Sequence, residues 1–141
     1  MLNWIFSDAP HSDCPTFLKL EIYGKPSTAY RQLPFKFNNH GQKINNKDSW
    51  VDNENEIAIW YGYHEINQGY GGWYIGPTKN IAQPTVFIYA ESYQPCPNHV
   101  QFWTYFGGNN QWIQATNDEI KVSKLSEFRN WKRTSTCHLY S

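Results

Sequence analysis

Two apolar runs separated by a polar, glycine-bearing connection dominate the hydrophobic pattern of this chain. The first run, Ile57–Tyr61, consists mostly of β-branched and aromatic residues, and the second, Trp73–Ile75, ends at Gly76-Pro77. The segment between them, His64–Gly72, is rich in polar residues and glycine. Short runs of this kind around a Gly/Asn-rich connection are typical of a β-hairpin. The pattern predicts a hairpin over residues 57–77, with its aromatic runs side by side.

A weaker copy of this pattern lies further along the chain. The apolar and aromatic run Val100–Phe106 is followed by Gly107–Asn110 and then by a returning run, Gln111–Ile113. Both units combine an aromatic-rich strand with a glycine-containing connection and a returning tryptophan. We expect the two hairpins to form the scaffold and part of the functional surface.

Further strands are predicted where β-branched and aromatic residues alternate with polar ones. Pro34 interrupts one of them, so that strand is predicted to lie at a sheet edge. The polar stretch Asn38–Asn46 predicts an irregular loop. The predicted strands are Thr16–Tyr23, Tyr30–Phe37, Ser49–Val51, Thr85–Glu91 and Ile120–Ser123.

Short strands with turn signals every 8–12 residues or so predict an all-β fold. At 141 residues the chain is expected to be one domain, an antiparallel sandwich or barrel of short strands joined by hairpins. Residues 1–13 are predicted to be an N-terminal arm, residues 14–123 the all-β module, and residues 124–141 a C-terminal tail packed on the module. In that tail Leu125, Phe128 and Trp131 recur every three residues, which predicts one or two helical turns.

Charge and hydropathy exclude two classes of partner. The formal net charge is +0 and the basic residues are scattered, whereas a phosphate-binding surface needs clustered Lys and Arg. We therefore expect no nucleic-acid partner. No apolar run approaches the roughly 18 residues of a membrane helix, so no membrane insertion is expected. Met1–Phe6 has no basic leader, and no signal peptide is predicted in this chain.

Three cysteines, Cys14, Cys96 and Cys137, lie far apart in the sequence. Their spacing matches neither a zinc knuckle nor a CxxC redox motif. One disulfide with one remaining thiol is the simplest oxidised arrangement, and the sequence leaves its connectivity open.

Catalysis and metal binding have weak signals. No G-x-S-x-G nucleophile motif is present, and the neighbours His64 and Glu65 would point to opposite faces of a strand. We therefore predict that the protein is not an enzyme and has no cofactor. One alternative stays open, because oxygen ligands crowd one turn in a way that suits Ca²⁺, although their spacing does not match an EF-hand: Asp48, Asp52, Asn53, Glu54 and Asn55.

The aromatic share is 18%, roughly double average usage, so some rings must lie at the surface. Trp60, Trp73 and Trp103 are predicted to pack in the core. An exposed ring that stacks on a sugar, together with amides and carboxylates that bind its hydroxyls, makes a carbohydrate site. The predicted ligand-binding residues lie in the two hairpin connections: Tyr63, Glu65, Asn67, Tyr70, Asn109, Asn110, Gln111 and Trp112.

Several motifs resemble a tryptophan- and tyrosine-rich module that recurs, often in tandem, in extracellular proteins of marine invertebrates. They are Cys14-Pro15 before an alternating strand, the sequence Trp73-Tyr74-Ile75-Gly76-Pro77, and Cys96-Pro97 followed by Trp103 and Trp112. The resemblance covers about residues 14–123 and implies an extracellular recognition or matrix module. That pattern would place a cysteine where Ser123-Lys124 stand, so the partner of Cys14 stays open.

These expectations combine into one functional prediction. The chain is predicted to be a secreted, non-catalytic lectin that binds glycans of glycoproteins or glycolipids. Because a single shallow sugar site is weak, a homo-oligomer would supply avidity. The alternative is an extracellular matrix or adhesive module whose exposed rings contact protein.

Overall fold

The computed structural model describes residues 14–28, 34–107, 110–116 and 118–125, and in them the chain forms one curled antiparallel sheet, a half-barrel. This confirms the all-β prediction. The spatial order is β8-β7-β6-β5-β4-β3-β2-β1-β9. Consecutive strands from β1 to β8 are therefore neighbours, and β9 returns to pair with β1. The strands are β1 (Phe17–Ile22), β2 (Phe35–Ile44), β3 (Lys47–Asp52), β4 (Ile57–Gly62), β5 (Gly72–Pro77), β6 (Ile88–Glu91), β7 (Thr104–Phe106), β8 (Trp112–Gln114) and β9 (Ile120–Lys124).

The inner face of the curled sheet carries the main core. Alternate residues of β1 and β9 turn towards it, and one continuous apolar cluster reaches from these strands to β7. Trp50 and Trp73 pack there with ring centroids 5.9 Å apart. Trp73 and Trp103 are buried on this face and Trp60 on the opposite face. The predicted core packing of these three tryptophans is confirmed.

The outer face differs between the two halves of the sheet. Over β1 and β9 it is charged, since Lys19 and Glu21 lie 3.7 Å apart and Glu21 stands opposite Lys121. Over β4 to β8 it carries a row of aromatic rings. From Trp60 through Tyr74 to Tyr89 the row follows the cross-strand register. Ring contacts then extend it to Trp112 and from there to Phe106.

Both predicted hairpins are present. β4 and β5 pair over their full length, from Ile57 opposite Pro77 to Gly62 opposite Gly72. β7 and β8 pair over three residues each, from Thr104 opposite Gln114 to Phe106 opposite Trp112. The second hairpin is thus shorter than its sequence pattern suggested.

The prediction for residues 34–46 was wrong in two respects, whereas Tyr30–Leu33 lie outside the described residues. The polar stretch from Asn38 continues β2 as far as Ile44, and this strand lies inside the sheet between β1 and β3. The ladder to β3 holds at Asn39 and resumes at Lys43 after a register shift. Neighbouring strands bond to the backbone whatever the side chains are, so polar residues are tolerated on a solvated face.

Cys14 and Cys96 form a disulfide, which settles the connectivity left open by the sequence. It joins the residues before β1 to the connection between β6 and β7. The 3-10 turn Pro97–His99 of that connection packs against β9, at the far edge of the sheet. The predicted arm, residues 1–13, and the tail beyond Leu125 lie outside the described residues. Among the residues that are described, no helix is long and apolar enough to cross a membrane.

Candidate functional site

The predicted ligand residues fall at two opposite ends of the sheet. At one end, Gly72 pairs with both Gly62 and Glu91, so the β4–β5 connection lies beside the chain that leaves β6. At the other end, Phe106 donates its backbone N–H to the carbonyl of Phe87, which places the β7–β8 turn at the start of β6. The strands between separate these ends by roughly 15–20 Å. The two hairpin connections therefore form two surfaces and not one.

Three exposed tyrosines lie at the first end, and we call Tyr63, Tyr70 and Tyr93 the tyrosine tip. Their exposed fractions are 56%, 51% and 70%. Tyr63 packs edge-on against Tyr61 with ring centroids 5.7 Å apart. Tyr93 was not among the ligand-binding residues predicted from the sequence. It follows β6, whose end lies beside the β4–β5 connection, and this adjacency depends on sheet pairing that no local pattern encodes.

Tyr61 supports the tyrosine tip from below. Its hydroxyl donates to the carbonyl of Ser92 at 2.8 Å, and the Ser92 N–H donates to the carbonyl of Gly71 at 3.1 Å. Burial raises the pKa of Tyr61, and the neighbouring tyrosines Tyr63 and Tyr93 raise it further. These bonds tie the β4–β5 connection to the chain that carries Tyr93.

Polar groups of the β2–β3 turn approach the same support. The Asn45 side-chain amide donates to the carbonyl of Tyr61 at 2.8 Å, and Lys47 Nζ lies 4.9 Å from the centre of the Tyr61 ring. Gly71 leaves no room for a side chain, because a Cβ there would meet the Tyr61 hydroxyl. Three separate connections thus converge on Tyr61.

Asn67, a predicted ligand residue, instead stabilises its own connection. It is 8% exposed, and its side-chain amide donates to the carbonyls of Tyr70 at 3.2 Å and Gly71 at 3.4 Å. Glu65 begins the 3-10 turn Glu65–Asn67 and is exposed, as are the neighbouring Gln68 and Gly69. Of the four residues predicted in this connection, the tyrosines and Glu65 face solvent while Asn67 holds the loop together.

His64 joins the tyrosine tip to the aromatic row beneath it. The Trp60 indole N–H donates to His64 Nε2 at 3.0 Å, so this nitrogen is unprotonated. The His64 backbone N–H donates to the Tyr74 hydroxyl at 3.1 Å, and the two rings are 4.2 Å apart. Burial lowers the pKa of His64 and raises that of Tyr74. His64 is thus held by Trp60, while Glu65 points to solvent, which is no arrangement for a shared acid–base task.

The second predicted surface is smaller and less enclosed. Asn110 donates its N–H to Gly107, and Gly107 donates to Gln111, which closes the β7–β8 turn. The side chains of Asn110 and Gln111 are exposed. Trp112 is partly buried, with its ring 5.1 Å from both Tyr89 and Phe106. Asn109 lies outside the described residues.

The oxygen-rich turn after β3 does not converge on a cation position. Asp52 is buried and accepts hydrogen bonds from the Lys36 N–H and from the backbone and side chain of Asn55. Asp48 is paired with Lys43 at 2.9 Å. Within the described ranges, no group of three or more His, Cys, Asp or Glu side chains could hold a metal ion.

Comparison of the chain with protein-family models, with curated proteins and with solved structures found no match. The resemblance to an invertebrate extracellular module therefore stays a prediction.

Proposed function

We propose that this protein is a non-catalytic carbohydrate-binding protein, and that the tyrosine tip is its principal binding surface. The observation that supports this most directly is that three exposed tyrosine rings lie at one end of the sheet, beside the hydrogen-bonded Tyr61. A tyrosine presents an apolar face on which a pyranose can stack and a hydroxyl that can bond to the sugar. Such rings lose little conformational freedom when a ligand binds.

Polar groups suited to sugar hydroxyls surround these rings. Glu65, Gln68 and Glu91 are exposed at the same end of the sheet. The Lys47 ammonium lies over the face of the Tyr61 ring. Neutral and charged hydrogen-bonding groups beside an aromatic platform are the usual composition of a small-molecule surface. The platform is open and shallow, so we expect weak binding per site and a need for multivalency.

The proposed setting is extracellular. A disulfide persists in oxidising compartments and is rare in reducing ones, and Cys14–Cys96 is such a bond. The proposed partners are glycans of glycoproteins or glycolipids.

The first test is a glycan array, probed with and without EDTA. We expect saturable binding to a related set of glycans, which would be insensitive to EDTA if no cation takes part. Each of Tyr63→Ala, Tyr70→Ala and Tyr93→Ala should weaken that binding roughly 3- to 10-fold, because one aromatic contact is worth about 0.5–1.5 kcal/mol. Tyr23→Ala is the matched control, since Tyr23 is 51% exposed but lies at the opposite end of the sheet.

The outcomes separate the candidate surfaces. Loss of binding in Trp112→Ala with the tip variants unchanged would transfer the function to the β7–β8 turn. An array without hits, obtained with well-folded protein, would overturn the carbohydrate proposal.

A second candidate function is a matrix or adhesive contact with protein. It is favoured by exposed apolar side chains near the β8 edge, where Phe102 is 53% exposed and Ile113 37%. The sequence from Val100 to Thr116 contains no Asp, Glu, Lys or Arg. Uncharged apolar surface of this kind suits a protein partner better than a sugar. Under this alternative, Phe102→Ser would abolish adhesion to protein-coated surfaces while glycan binding is absent from the start.

A further inference from the structure

The β4–β5 connection is fixed to the sheet through a histidine that can accept a proton. His64 immediately precedes the 3-10 turn Glu65–Asn67, and its carbonyl accepts hydrogen bonds from the N–H groups of Asn67 and Gly69. Its side chain meanwhile accepts the indole N–H of Trp60, which is fully buried. One residue thus anchors the connection both through its backbone and through its ring.

Protonation of His64 is incompatible with this contact. An imidazolium has two N–H donors and no acceptor, so the Trp60 indole N–H would face another donor. Since Trp60 is fully buried, its N–H would lose its partner, and an unpartnered buried donor is costly. The simplest relief is for the His64 ring to leave its place and take the connection with it.

The side chains that pack on the His64 ring carry no formal charge. Trp60 of β4 and the Asn67 side chain are neutral, and the titratable group that β5 presents is the Tyr74 phenol. The carboxylate of Glu65 is exposed, and the charge of Glu91 on β6 raises the pKa of Tyr74. Burial is what lowers the pKa of His64, in the direction expected of such a site.

We propose that protonation of His64 detaches the β4–β5 connection from Trp60, so that the tyrosine tip is assembled at neutral pH and loosened in mildly acidic solution. The tyrosine tip would then be a pH-dependent binding surface, and its role in binding rests on the proposed function. Tyr63 directly precedes His64 and packs on Tyr61, so release of the His64 ring would draw Tyr63 away from the frame around Tyr61. A glycan bound at neutral pH would dissociate in an acidic compartment.

The test needs no ligand. The indole ¹H–¹⁵N signal of Trp60 reports its hydrogen bond, and hydrogen exchange reports the amides of Gln68 and Gly69, which bond to the carbonyls of Glu65 and His64. Both are measured at about pH 7.5 and about pH 5, the range in which histidine titrates. Exchange is expressed as protection relative to the unstructured chain, which removes the intrinsic effect of pH.

In the wild-type protein we expect the Trp60 signal to shift and the protection of Gln68 and Gly69 to fall severalfold at the lower pH. The amide of Ala115, which bonds to the carbonyl of Trp103, should keep its protection. In His64→Gln the side-chain carbonyl can accept the indole N–H without titrating, so both changes should vanish. His99→Gln, at an exposed histidine, is the control and should behave as the wild type.

An unchanged Trp60 signal in the wild type, or equal loss of protection in His64→Gln, would overturn the inference. The wild-type measurement stands even if the variant folds poorly. If the tip responds to pH but the glycan array shows no binding, the pH switch is retained and the carbohydrate proposal is rejected. If glycans bind but the tip does not respond to pH, the carbohydrate proposal is retained and the pH switch is rejected.

Discussion

The two hairpins share one sequence signature and have different structural roles. β4 is buried at every position, and β5 at all but its last, because both lie in the middle of the sheet with a covered surface on each face. β7 and β8 have three residues each, of which Tyr105 is buried, and β8 forms an edge. The same combination of aromatic strand, glycine-bearing connection and returning tryptophan thus forms a buried hairpin in the middle of the sheet and a short, partly exposed hairpin at its edge.

The difference extends to the connections. In the β4–β5 connection the polar side chains of His64 and Asn67 bond inwards, and this leaves the tyrosines and Glu65 for solvent. In the β7–β8 turn, hydrogen bonds join the backbone groups of Gly107, Asn110 and Gln111. A pre-organised surface needs side chains that are held by others, and the first hairpin has them. This is why the tyrosine tip is the stronger binding candidate.

The largest expected difference between the hairpins concerns their returning tryptophans. Trp73 is fully buried, and its indole N–H donates to the carbonyl of Gln94 at 3.0 Å. Trp73→Ala should lower the free energy of unfolding by about 3–5 kcal/mol, the usual cost of removing a buried large ring. Trp112→Ala should cost less than about 2 kcal/mol, since its ring is partly exposed and gains mainly from two edge-on ring contacts. Urea unfolding followed by circular dichroism measures both.

Trp73→Phe keeps a ring in the core and provides a measurable transition if the alanine variant does not fold. Equal losses from Trp73→Ala and Trp112→Ala would mean that the β7–β8 hairpin contributes as much to stability as the β4–β5 hairpin.

A smaller difference is expected between the amides of the two connections. Asn67→Ala removes the donor to the Tyr70 and Gly71 carbonyls and leaves two acceptors of the connection without it. It should cost about 1–3 kcal/mol of unfolding free energy. Gln111→Ala, at an exposed amide of the β7–β8 turn, should stay within about 0.5 kcal/mol. A cost for Asn67→Ala as small as that of the control would show that this amide does not support the tip.

Much of this fold follows from local pattern. The apolar run from Ile57 to Tyr61 predicts one strand of the central hairpin, and the alternation over Thr16–Tyr23 predicts the first strand; both strands are present. The course of β2 could not be predicted, because Asn38–Lys43 has turn-like residues and its strand conformation depends on hydrogen bonds from β1 and β3. The strand predicted over Thr85–Glu91 was also too long, since β6 begins at Ile88.

The candidate site was predictable only in part, because local sequence does not show which strands pair in the sheet. Local sequence identified the connection that holds Tyr63 and Tyr70, but no sequence pattern brings Tyr93 beside it. Nor does local sequence distinguish Asn67, which bonds inwards, from Asn110, which faces solvent. Both are asparagines in glycine-bearing turns, and only the position of each turn in the sheet separates a supporting amide from an available one.

The smallest expected effect is on the pH dependence of stability. Burial lowers the pKa of His64 below its ordinary value of 6.5, so the folded protein binds this proton less readily than the unfolded chain. The contribution of neutral His64 to stability is therefore complete above about pH 6.5 and is lost as the pH falls from there through the folded pKa.

His64→Gln lacks this loss, so its unfolding free energy should decline less than that of the wild type between about pH 7 and pH 5. The β7–β8 hairpin and its turn contain no His, Asp or Glu, so Gln111→Ala should follow the wild-type pH profile. Parallel profiles for His64→Gln and the wild type would show that the histidine anchoring the first hairpin carries no proton-linked stability, and that the two hairpins do not differ in this respect.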